Sequence, residues 1–209
     1  MRMRRKSKLN SRIERCERFL VAEPEKFCGH WLENTAFNEL HVELGCGKGL
    51  FTAQKAKAKP DILLIGLEKV SNVLVVALEY AMQEDIQNVR YINKLADDML
   101  SFFVADEVSR IYLNFCDPWP ARRHAKRRLT GERFLEIYKN VLCSGGEIHF
   151  KTDNLPLFEF SLKEFKRCGF TLSEISYNLH DNGIAGIMTD YESKFYEKGI
   201  PINRCIATV

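Results

Sequence analysis

The stretch HVELGCGKGL, residues 41–50, decides the fold class of this chain. Its first half belongs to the segment Glu39–Leu44, in which Leu40, Val42 and Leu44 alternate with polar residues, as is typical of a strand. Its second half places glycines at 45, 47 and 49 directly before a helical pattern over Leu50–Lys57. Glycine lets the backbone pass close to a ligand because it has no Cβ atom. The stretch therefore predicts a strand, a ligand-binding loop and a helix in immediate succession.

The same alternation of strand and helix continues along the chain. The predicted strands are Glu39–Leu44, Ile62–Leu67, Val89–Ile92, Arg110–Phe115 and Glu147–Lys151, followed by Phe170–Tyr177 and Ile202–Val209 as a closing antiparallel pair. The predicted helices are Leu50–Lys57, Val70–Gln83, Asp97–Val104, Glu132–Val141 and Leu157–Arg167. Repeated β-α units imply a Rossmann-like α/β fold, an open and mostly parallel sheet with helices on both faces.

Residue type predicts where the helix over Glu132–Val141 begins and ends. Thr130 is placed to cap its N terminus, because a threonine hydroxyl can accept from the first backbone N–H groups. Gly145-Gly146 is placed to end it and to turn the chain into the next strand.

The chain is predicted to form one domain over residues 38–209. Residues 1–37 are expected to be a basic N-terminal extension, partly disordered, with order around Phe27, Trp31 and Phe37. A chain of 209 residues is long enough to bury a sizeable core.

Composition excludes several classes of protein. With 45% hydrophobic and 28% charged residues, the chain is expected to be globular and soluble. No apolar run approaches the roughly 20 residues that span a bilayer, and the basic N terminus lacks the apolar segment of a secretory signal. Its seven cysteines form no C-x-x-C pair and lie apart from any histidine at metal-ligand spacing. We expect reduced thiols, no metal site and a cytoplasmic location.

Positive charge is concentrated in two short blocks. Residues 1–12 contain six Lys or Arg, residues 121–128 contain five, and neither block contains an acidic residue. The rest of the chain has 20 basic and 28 acidic residues. Basic blocks on an acidic body indicate a surface that binds a polyanion. A flexible, solvated tail remains an alternative for the N-terminal block.

Two carboxylates at strand ends indicate the class of cofactor. Glu43 precedes the glycines, where it would repel a pyrophosphate bound at the helix N terminus. S-adenosylmethionine has a sulfonium and an ammonium group and no phosphate, so it suits this position. Glu68 ends the second strand, about where an acid accepts the ribose hydroxyls. The sequence therefore predicts S-adenosylmethionine, with Glu43, Gly45, Gly47, Gly49 and Glu68 as contacts. The alternative is a buried, satisfied Glu43 and a surface Glu68.

The third strand is followed by Asn93-Lys-Leu-Ala-Asp97, where an adenine is expected in this architecture. Leu95 is predicted to pack against the base. Asp97 is better explained as a helix N-cap.

The fourth strand runs into Asp117-Pro-Trp-Pro, followed by the basic block. Pro118 and Pro120 restrict the backbone, so that Asp117 and Trp119 are held in fixed directions. The strand delivers Asp117 toward the methyl group of the cofactor, and the cations of 122–128 are predicted to form a phosphate clamp. A Trp119 packed in the core is the alternative.

Together these motifs resemble the bacterial tRNA (guanine-N7-)-methyltransferase family. The motifs are the glycine loop after Glu43, Asn114-Phe-Cys-Asp-Pro-Trp-Pro with its basic tail, Lys151-Thr-Asp-Asn and Thr189-Asp-Tyr-Glu192. The resemblance covers nearly all of the chain from about residue 25 onward. Asp-Pro-Trp-Pro followed by a basic run is highly specific, whereas many methyltransferases share the glycine loop.

The resemblance implies a class I S-adenosylmethionine-dependent methyltransferase and assigns roles to individual residues. Asp117 would be catalytic and would also contact the cofactor. The other cofactor contacts would be Glu43, Gly45, Gly47, Gly49, Glu68, Leu95 and Ala96. The substrate contacts would be Arg122, Arg123, Asp153, Thr189, Tyr191 and Glu192.

Two positions depart from the family pattern. The family usually has Asp at Leu95, so a side-chain hydrogen bond to adenine is replaced here by backbone contact. It usually has Lys at Ala121, and Arg122 or Arg123 is expected to take over that contact.

Helix capping is an alternative explanation for two of the substrate residues. Asp153 stands where it can cap the helix that begins after Asn154. Thr189-Asp-Tyr-Glu192 matches the capping box S/T-x-x-E. The resemblance to the family implies instead that a carboxylate at these positions accepts hydrogen bonds from N1–H and N2–H of a guanine. One carboxylate cannot easily do both with the same oxygens.

The predicted function is transfer of a methyl group from S-adenosylmethionine to N7 of a guanosine in the variable loop of tRNA. The predicted partner is tRNA, with no membrane and no obligatory protein partner, the chain being a monomer or homodimer. The rival predictions are an amino-group methyltransferase, a dinucleotide-dependent oxidoreductase and a non-catalytic RNA-binding module.

Overall fold

The computed structural model describes residues 8–209, except for the side chain of Arg122. Its seven strands are β1 (Glu39–Leu44), β2 (Ile62–Leu67), β3 (Val89–Ile92), β4 (Val108–Asn114), β5 (Leu142–Thr152), β6 (Thr171–Ser176) and β7 (Asn203–Thr208). They form one sheet in the order β3-β2-β1-β4-β5-β7-β6. The chain divides into two compact units, Met1–Phe102 and Phe103–Val209.

The first unit contains three parallel strands. β2 pairs with β1 on one side and with β3 on the other, so that Glu43 is level with Gly66 and Leu67 with Ile92. Every residue of β2 is buried, as expected for a parallel strand covered on both faces. Helices α2 (Leu50–Ala58) and α3 (Ser71–Gln83) connect these strands. Because the strands are parallel, their carboxyl ends lie at one edge, where the glycine loop begins.

The N-terminal segment adds buried side chains to the first unit. It contains α1 (Leu9–Glu14) and two short 3-10 turns, Glu17–Phe19 and Pro24–Phe27. Phe19 and Trp31 are buried, and Trp31 donates a hydrogen bond to the Phe102 carbonyl at 2.7 Å. The division at residue 38 stays a prediction, and the part of the predicted extension before residue 8 lies outside the described residues.

The second unit mixes parallel and antiparallel pairing. β4 pairs in parallel with β5, whereas β7 lies antiparallel between β5 and β6. Its helices are α4 (Glu132–Val141), α5 (Leu155–Arg167) and α6 (Asp190–Glu197). The prediction of an open, mostly parallel sheet that closes with an antiparallel pair is therefore confirmed.

Three local predictions were wrong, and for Thr130 a tertiary contact replaces the predicted cap. Gly131 is the N-cap of α4, and the fully buried Thr130 hydroxyl instead shares a hydrogen bond with Ser161 Oγ of α5 at 2.7 Å. Gly145 lies inside β5, which begins directly after α4. The predicted helix Asp97–Val104 is a 3-10 turn over Ala96–Ser101.

No helix in the described part of the chain is long and apolar enough to cross a membrane. Within residues 8–209, no group of three or more His, Cys, Asp or Glu side chains is arranged to hold a metal ion.

His149 makes the stability of the second unit depend on pH. Burial on β5 lowers its pKa from 6.5 to about 4, although Glu147, whose carboxylate lies 2.7 Å from Nε2, opposes the shift. The unfolded chain therefore takes up this proton at a higher pH than the folded chain does. Stability is lost as the pH falls from about 6.5 toward 4.

We predict that His149→Gln loses less stability than the parent protein between pH 7 and pH 4.5, by up to about 3 kcal/mol. Urea unfolding at the two pH values measures the difference. His30→Gln is the matched control, because His30 is exposed and its ring pairs with the nearby Glu33 at the surface. Equal losses in the parent and His149→Gln would contradict the prediction.

Candidate active site

The three glycines after β1 have different surroundings. All three have positive φ, between 60° and 73°. A Cβ added at Gly45 would meet nothing within 4 Å, and one at Gly47 would meet only the Gly45 carbonyl at 4.0 Å. A Cβ at Gly49 would lie 2.5 Å from Ala77 Cβ. Gly45 and Gly47 therefore leave open space for a ligand, whereas Gly49 is required by the packing of α2 against α3.

Tyr91 supports the glycine loop from within the core. It is fully buried on β3, and its ring would clash with a Cβ at Gly66 at 2.7 Å. Its hydroxyl would lie 2.7 Å from a Cβ at Gly49. The loop and two strands thus pack around one aromatic side chain. Sequence analysis missed Tyr91, although glycine at two nearby strand-end positions is a signal that something large lies beneath them.

Glu43 is buried, with 2% of its surface exposed. The Thr52 hydroxyl of α2 donates a hydrogen bond to its carboxylate. Burial, and then the charge of Glu43, raise the pKa of the Cys46 thiol well above its usual value, so Cys46 is not a nucleophile at neutral pH. Thr52 was not predicted. The alternative of a buried, hydrogen-bonded Glu43 is thus part of the structure, and its contact with a cofactor stays a prediction.

Glu68 ties the end of β2 to the glycine loop. Its carboxylate accepts hydrogen bonds from Val70 N at 2.8 Å and from Gly47 N at 3.2 Å. The Asn93 side chain, which follows β3, donates to the Glu68 carbonyl at 2.7 Å. Glu68 therefore connects the ends of β2 and β3 with the glycine loop. Glu68 is half-buried. The structure holds the Glu68 carboxylate beside the loop, and its contact with a cofactor stays a prediction.

Leu95 and Ala96 follow β3 in an exposed turn. Leu95 is 46% exposed, so its side chain is accessible to a ligand. Asp98 accepts from Leu95 N at 3.2 Å, so Asp98 and not Asp97 closes the turn. The preference for Asp97 as the N-cap was therefore wrong.

Asp117 is exposed at the end of β4 on a backbone with unusual geometry. Phe115 and Trp119 have φ of 52° and 41°, in the left-handed region that residues other than glycine rarely adopt. Phe115 N donates to the Lys151 carbonyl at 2.9 Å, and its ring stacks on Phe195 at 5.8 Å. These contacts hold the first turn after the strand. Burial raises the pKa of Cys116 to about 12, so no reactive thiol stands beside Asp117.

The basic block forms a 3-10 turn over Arg122–Arg127. Arg123, Lys126 and Arg127 are exposed, and Arg127 lies over the Trp119 ring at 4.9 Å. His124 meets the same ring edge-on at 5.7 Å. Trp119 is therefore enclosed by the basic block and is not part of the central core. The side chain of Arg122, a predicted substrate contact, lies outside the described residues.

Asp153 does not cap α5. Asn154 is the N-cap, and its side chain accepts from Leu157 N at 2.9 Å. Thr152 Oγ1 accepts in turn from Asn154 N at 3.1 Å. Asp153 is half-buried at the end of β5. The capping alternative is therefore wrong for Asp153, and its contact with substrate stays a prediction.

Glu192 is fully buried and both of its carboxylate oxygens are occupied. Lys151 Nζ lies 3.0 Å from each oxygen, and His180 Nε2 lies 3.0 Å from Oε1. Ala185 N donates to His180 Nδ1 at 3.1 Å, so the other ring nitrogen, Nε2, carries the proton that is given to Glu192. The Lys151–Glu192–His180 cluster therefore joins β5, the loop before α6 and α6 itself.

The predicted capping box is also present. Glu192 N donates to Thr189 Oγ1 at 3.0 Å, and Thr189 N donates to Glu192 Oε2 at 3.2 Å. A base could reach Glu192 only by displacing one of these donors. Tyr191, in contrast, is 63% exposed, with Lys194 at 6.0 Å from its ring. Sequence analysis missed Lys151 and His180 because their partner lies 41 and 12 residues away in the chain.

We predict that Glu192→Gln lowers the free energy of unfolding by about 3–5 kcal/mol, because it removes the buried carboxylate that pairs with the largely enclosed Lys151 ammonium. Glu197→Gln on the same helix is the matched control, since Glu197 is exposed. Urea unfolding measures both. A Glu192→Gln variant as stable as the control would show that the buried pair contributes little.

Comparison with known proteins identifies the family. A family model described as "Putative methyltransferase" matches residues 38–205. Curated tRNA (guanine-N(7)-)-methyltransferases of Bacillus cytotoxicus and of a Geobacillus species are 45% and 44% identical to this chain, covering 98% of it and 95% and 94% of their own lengths.

Solved structures show the same fold at low identity. The 16S rRNA methyltransferase KamB superposes with a TM-score of 0.64 at 13% identity, over 83% of this chain and 89% of its own. A SAM-dependent methyltransferase from Aquifex aeolicus superposes with a TM-score of 0.59 at 11% identity, over 98% of this chain and 100% of its own. The fold is therefore that of class I S-adenosylmethionine-dependent methyltransferases. The chain belongs to the tRNA (guanine-N7-)-methyltransferase family.

Proposed function

We propose that this chain transfers a methyl group from S-adenosylmethionine to N7 of a guanosine in the variable loop of tRNA. The observation that carries the proposal is 44–45% identity to curated enzymes of that name over almost their whole length. Residues of both units support the proposal. A tRNA substrate implies that the enzyme works in the cytoplasm.

The first unit has groups that suit S-adenosylmethionine. Open space at Gly45 and Gly47 lets a ligand approach the backbone. Glu68, held beside the loop, can accept the ribose hydroxyls. Leu95, exposed after β3, offers an apolar surface for adenine, with Ala96 giving backbone contact. The negative charge of buried Glu43 favours a cationic ligand over a phosphate. Gly49 contributes by packing the loop.

Asp117 is the residue that we assign to catalysis. Bound S-adenosylmethionine supplies the methyl group as part of an electrophilic sulfonium. Guanine N7 has an in-plane lone pair, so no proton has to be removed before it reacts. The methylated ring becomes cationic, and a fixed carboxylate nearby stabilises the developing charge. Asp117 thus acts as an electrostatic partner that also orients the base, which supplies much of the rate through positioning.

The second unit has groups that suit tRNA. N7 of a paired guanine in A-form RNA lies in a deep, narrow groove that side chains reach poorly, so the target guanosine must be splayed out. The exposed cations Arg123, Lys126 and Arg127 can contact phosphates on either side of it. Arg122, Asp153, Thr189, Tyr191 and Glu192 remain the other proposed substrate contacts. Of these, Tyr191 has the most exposed side chain and can stack on a base.

The deciding experiment identifies the product. The purified protein is incubated with unmodified tRNA transcripts and methyl-labelled S-adenosylmethionine, and the modified nucleosides are identified by mass spectrometry. We expect 7-methylguanosine in the variable loop. Methylation of an amino group would support the rival methyltransferases, and tRNA binding without cofactor binding would support a non-catalytic RNA-binding module.

We predict that Asp117→Asn retains cofactor binding but lowers the rate of methyl transfer about 10²-fold or more, because the fixed negative charge is lost. Calorimetry measures cofactor binding, and single-turnover assays measure transfer. Asp61→Asn, an exposed carboxylate in the turn before β2, is the control for loss of one surface charge. Near-normal turnover by Asp117→Asn would overturn the assignment.

A further inference from the structure

The side chain of Arg128, the last cation of the basic block, binds backbone carbonyls of its own chain. Its Nε donates to the Pro118 carbonyl at 3.1 Å, and its Nη2 donates to the Trp119 carbonyl at 3.1 Å. The guanidinium also lies over the ring of Phe160 on α5, with 4.3 Å between Cζ and the ring centroid. Arg128 is half-buried, whereas its neighbour Arg127 is exposed. The expectation that both arginines form one phosphate clamp is therefore not met by their geometry.

The two carbonyls that Arg128 binds belong to the turn that presents Asp117. Trp119 holds a left-handed φ of 41° there, a conformation that a bulky residue keeps only where its surroundings enforce it. Pro118 and Pro120 have no N–H group, so the turn is short of backbone donors of its own. A planar guanidinium supplies donors from two different nitrogens in a fixed geometry to two successive carbonyls, whereas a lysine ammonium has neither this fixed plane nor a flat face that stacks on an aromatic ring.

The ring of Phe160 fixes the orientation of the Arg128 guanidinium. Stacking on an aromatic ring restrains the guanidinium plane, and α5 is a long helix of the second unit. The contacts therefore connect the turn at the end of β4 to a helix of the fold through one side chain. Arg127 has no such connection among its described contacts, since it lies over Trp119 and is otherwise exposed.

We propose that Arg128 is a positioning residue, which fixes the Asp117–Pro120 turn through the Pro118 and Trp119 carbonyls. Arg127 is then the member of this pair that contacts tRNA phosphate. The catalytic consequence rests on the proposed function, because it requires Asp117 to act in methyl transfer. The conformational consequence does not, because it concerns only the turn.

Kinetics and salt dependence separate the two roles. For Arg128→Lys and Arg128→Ala we expect kcat to fall about tenfold or more, with the tRNA KM within about twofold and the salt slope of tRNA binding unchanged. For Arg127→Ala we expect weaker tRNA binding and a salt slope lower by about one. A slope lowered by about one in Arg128→Ala, with kcat unchanged, would overturn the proposal.

Fluorine NMR reports on the turn without catalysis. The chain has two tryptophans, so protein labelled with 5-fluorotryptophan gives one signal for Trp119 and one for Trp31, which serves as an internal control. We expect Arg128→Lys to broaden or split the Trp119 signal and to leave the Trp31 signal unchanged. A single, sharp and unshifted Trp119 signal would overturn the proposal. If the parent protein makes no 7-methylguanosine, the proposed function fails, and these spectra still test the position of Arg128.

Discussion

The backbone has to leave the carboxyl ends of β1 and β4 in left-handed conformations, and much of the candidate site depends on how it does so. After β1 the left-handed residue is Gly45, at φ 72°, and glycine adopts this conformation without steric strain. After β4 the left-handed residues are Phe115 and Trp119, at 52° and 41°, where this conformation costs about 1–3 kcal/mol for each residue. The left-handed turn after β1 therefore needs no support beyond its glycine. The turn after β4 has to be stabilised by contacts with other parts of the second unit.

Residues of the second unit stabilise both left-handed positions after β4. Phe115 is held by the Lys151 carbonyl and by Phe195, and Trp119 by Arg128. The side chain of Lys151 also pairs with buried Glu192. One residue of β5 therefore takes part in two structures, the turn before Asp117 and the cap of α6. A change at Lys151 is expected to affect both, which makes it a poor residue for testing either role separately.

Burial separates the carboxylates of the sequence motifs into enclosed and accessible groups. Glu43 and Glu192 are both nearly or wholly enclosed, and both are hydrogen-bonded within their own unit. Glu68 and Asp117 remain accessible in part or in full. Glu43 and Glu192 are thus enclosed by their own unit, whereas Asp117 is exposed and Glu68 is half-buried while it also holds the glycine loop.

The sequence alone determined the strands of the first unit, because their apolar residues lie in short segments that end at glycine or polar residues, as in β2, which is buried throughout. The bounds predicted for β1, β2 and β3 match those observed. It also determined the family, since Asp-Pro-Trp-Pro with its basic tail is a rare combination. It located carboxylates at strand ends, because strand ends can be read from local pattern.

Only the tertiary structure decided which polar side chains face inward. Thr130 looks like a helix cap in sequence, but it bonds to Ser161, 31 residues away, because α4 and α5 pack together. Arg127 and Arg128 are adjacent and identical in type, yet one is exposed and the other binds two carbonyls. Glycine at 49 reads as a ligand contact until Ala77 and Tyr91 are seen to fill the space beside it. Local sequence pattern indicates where strands and helices lie. The partner of each polar side chain depends instead on contacts between segments that are distant in sequence.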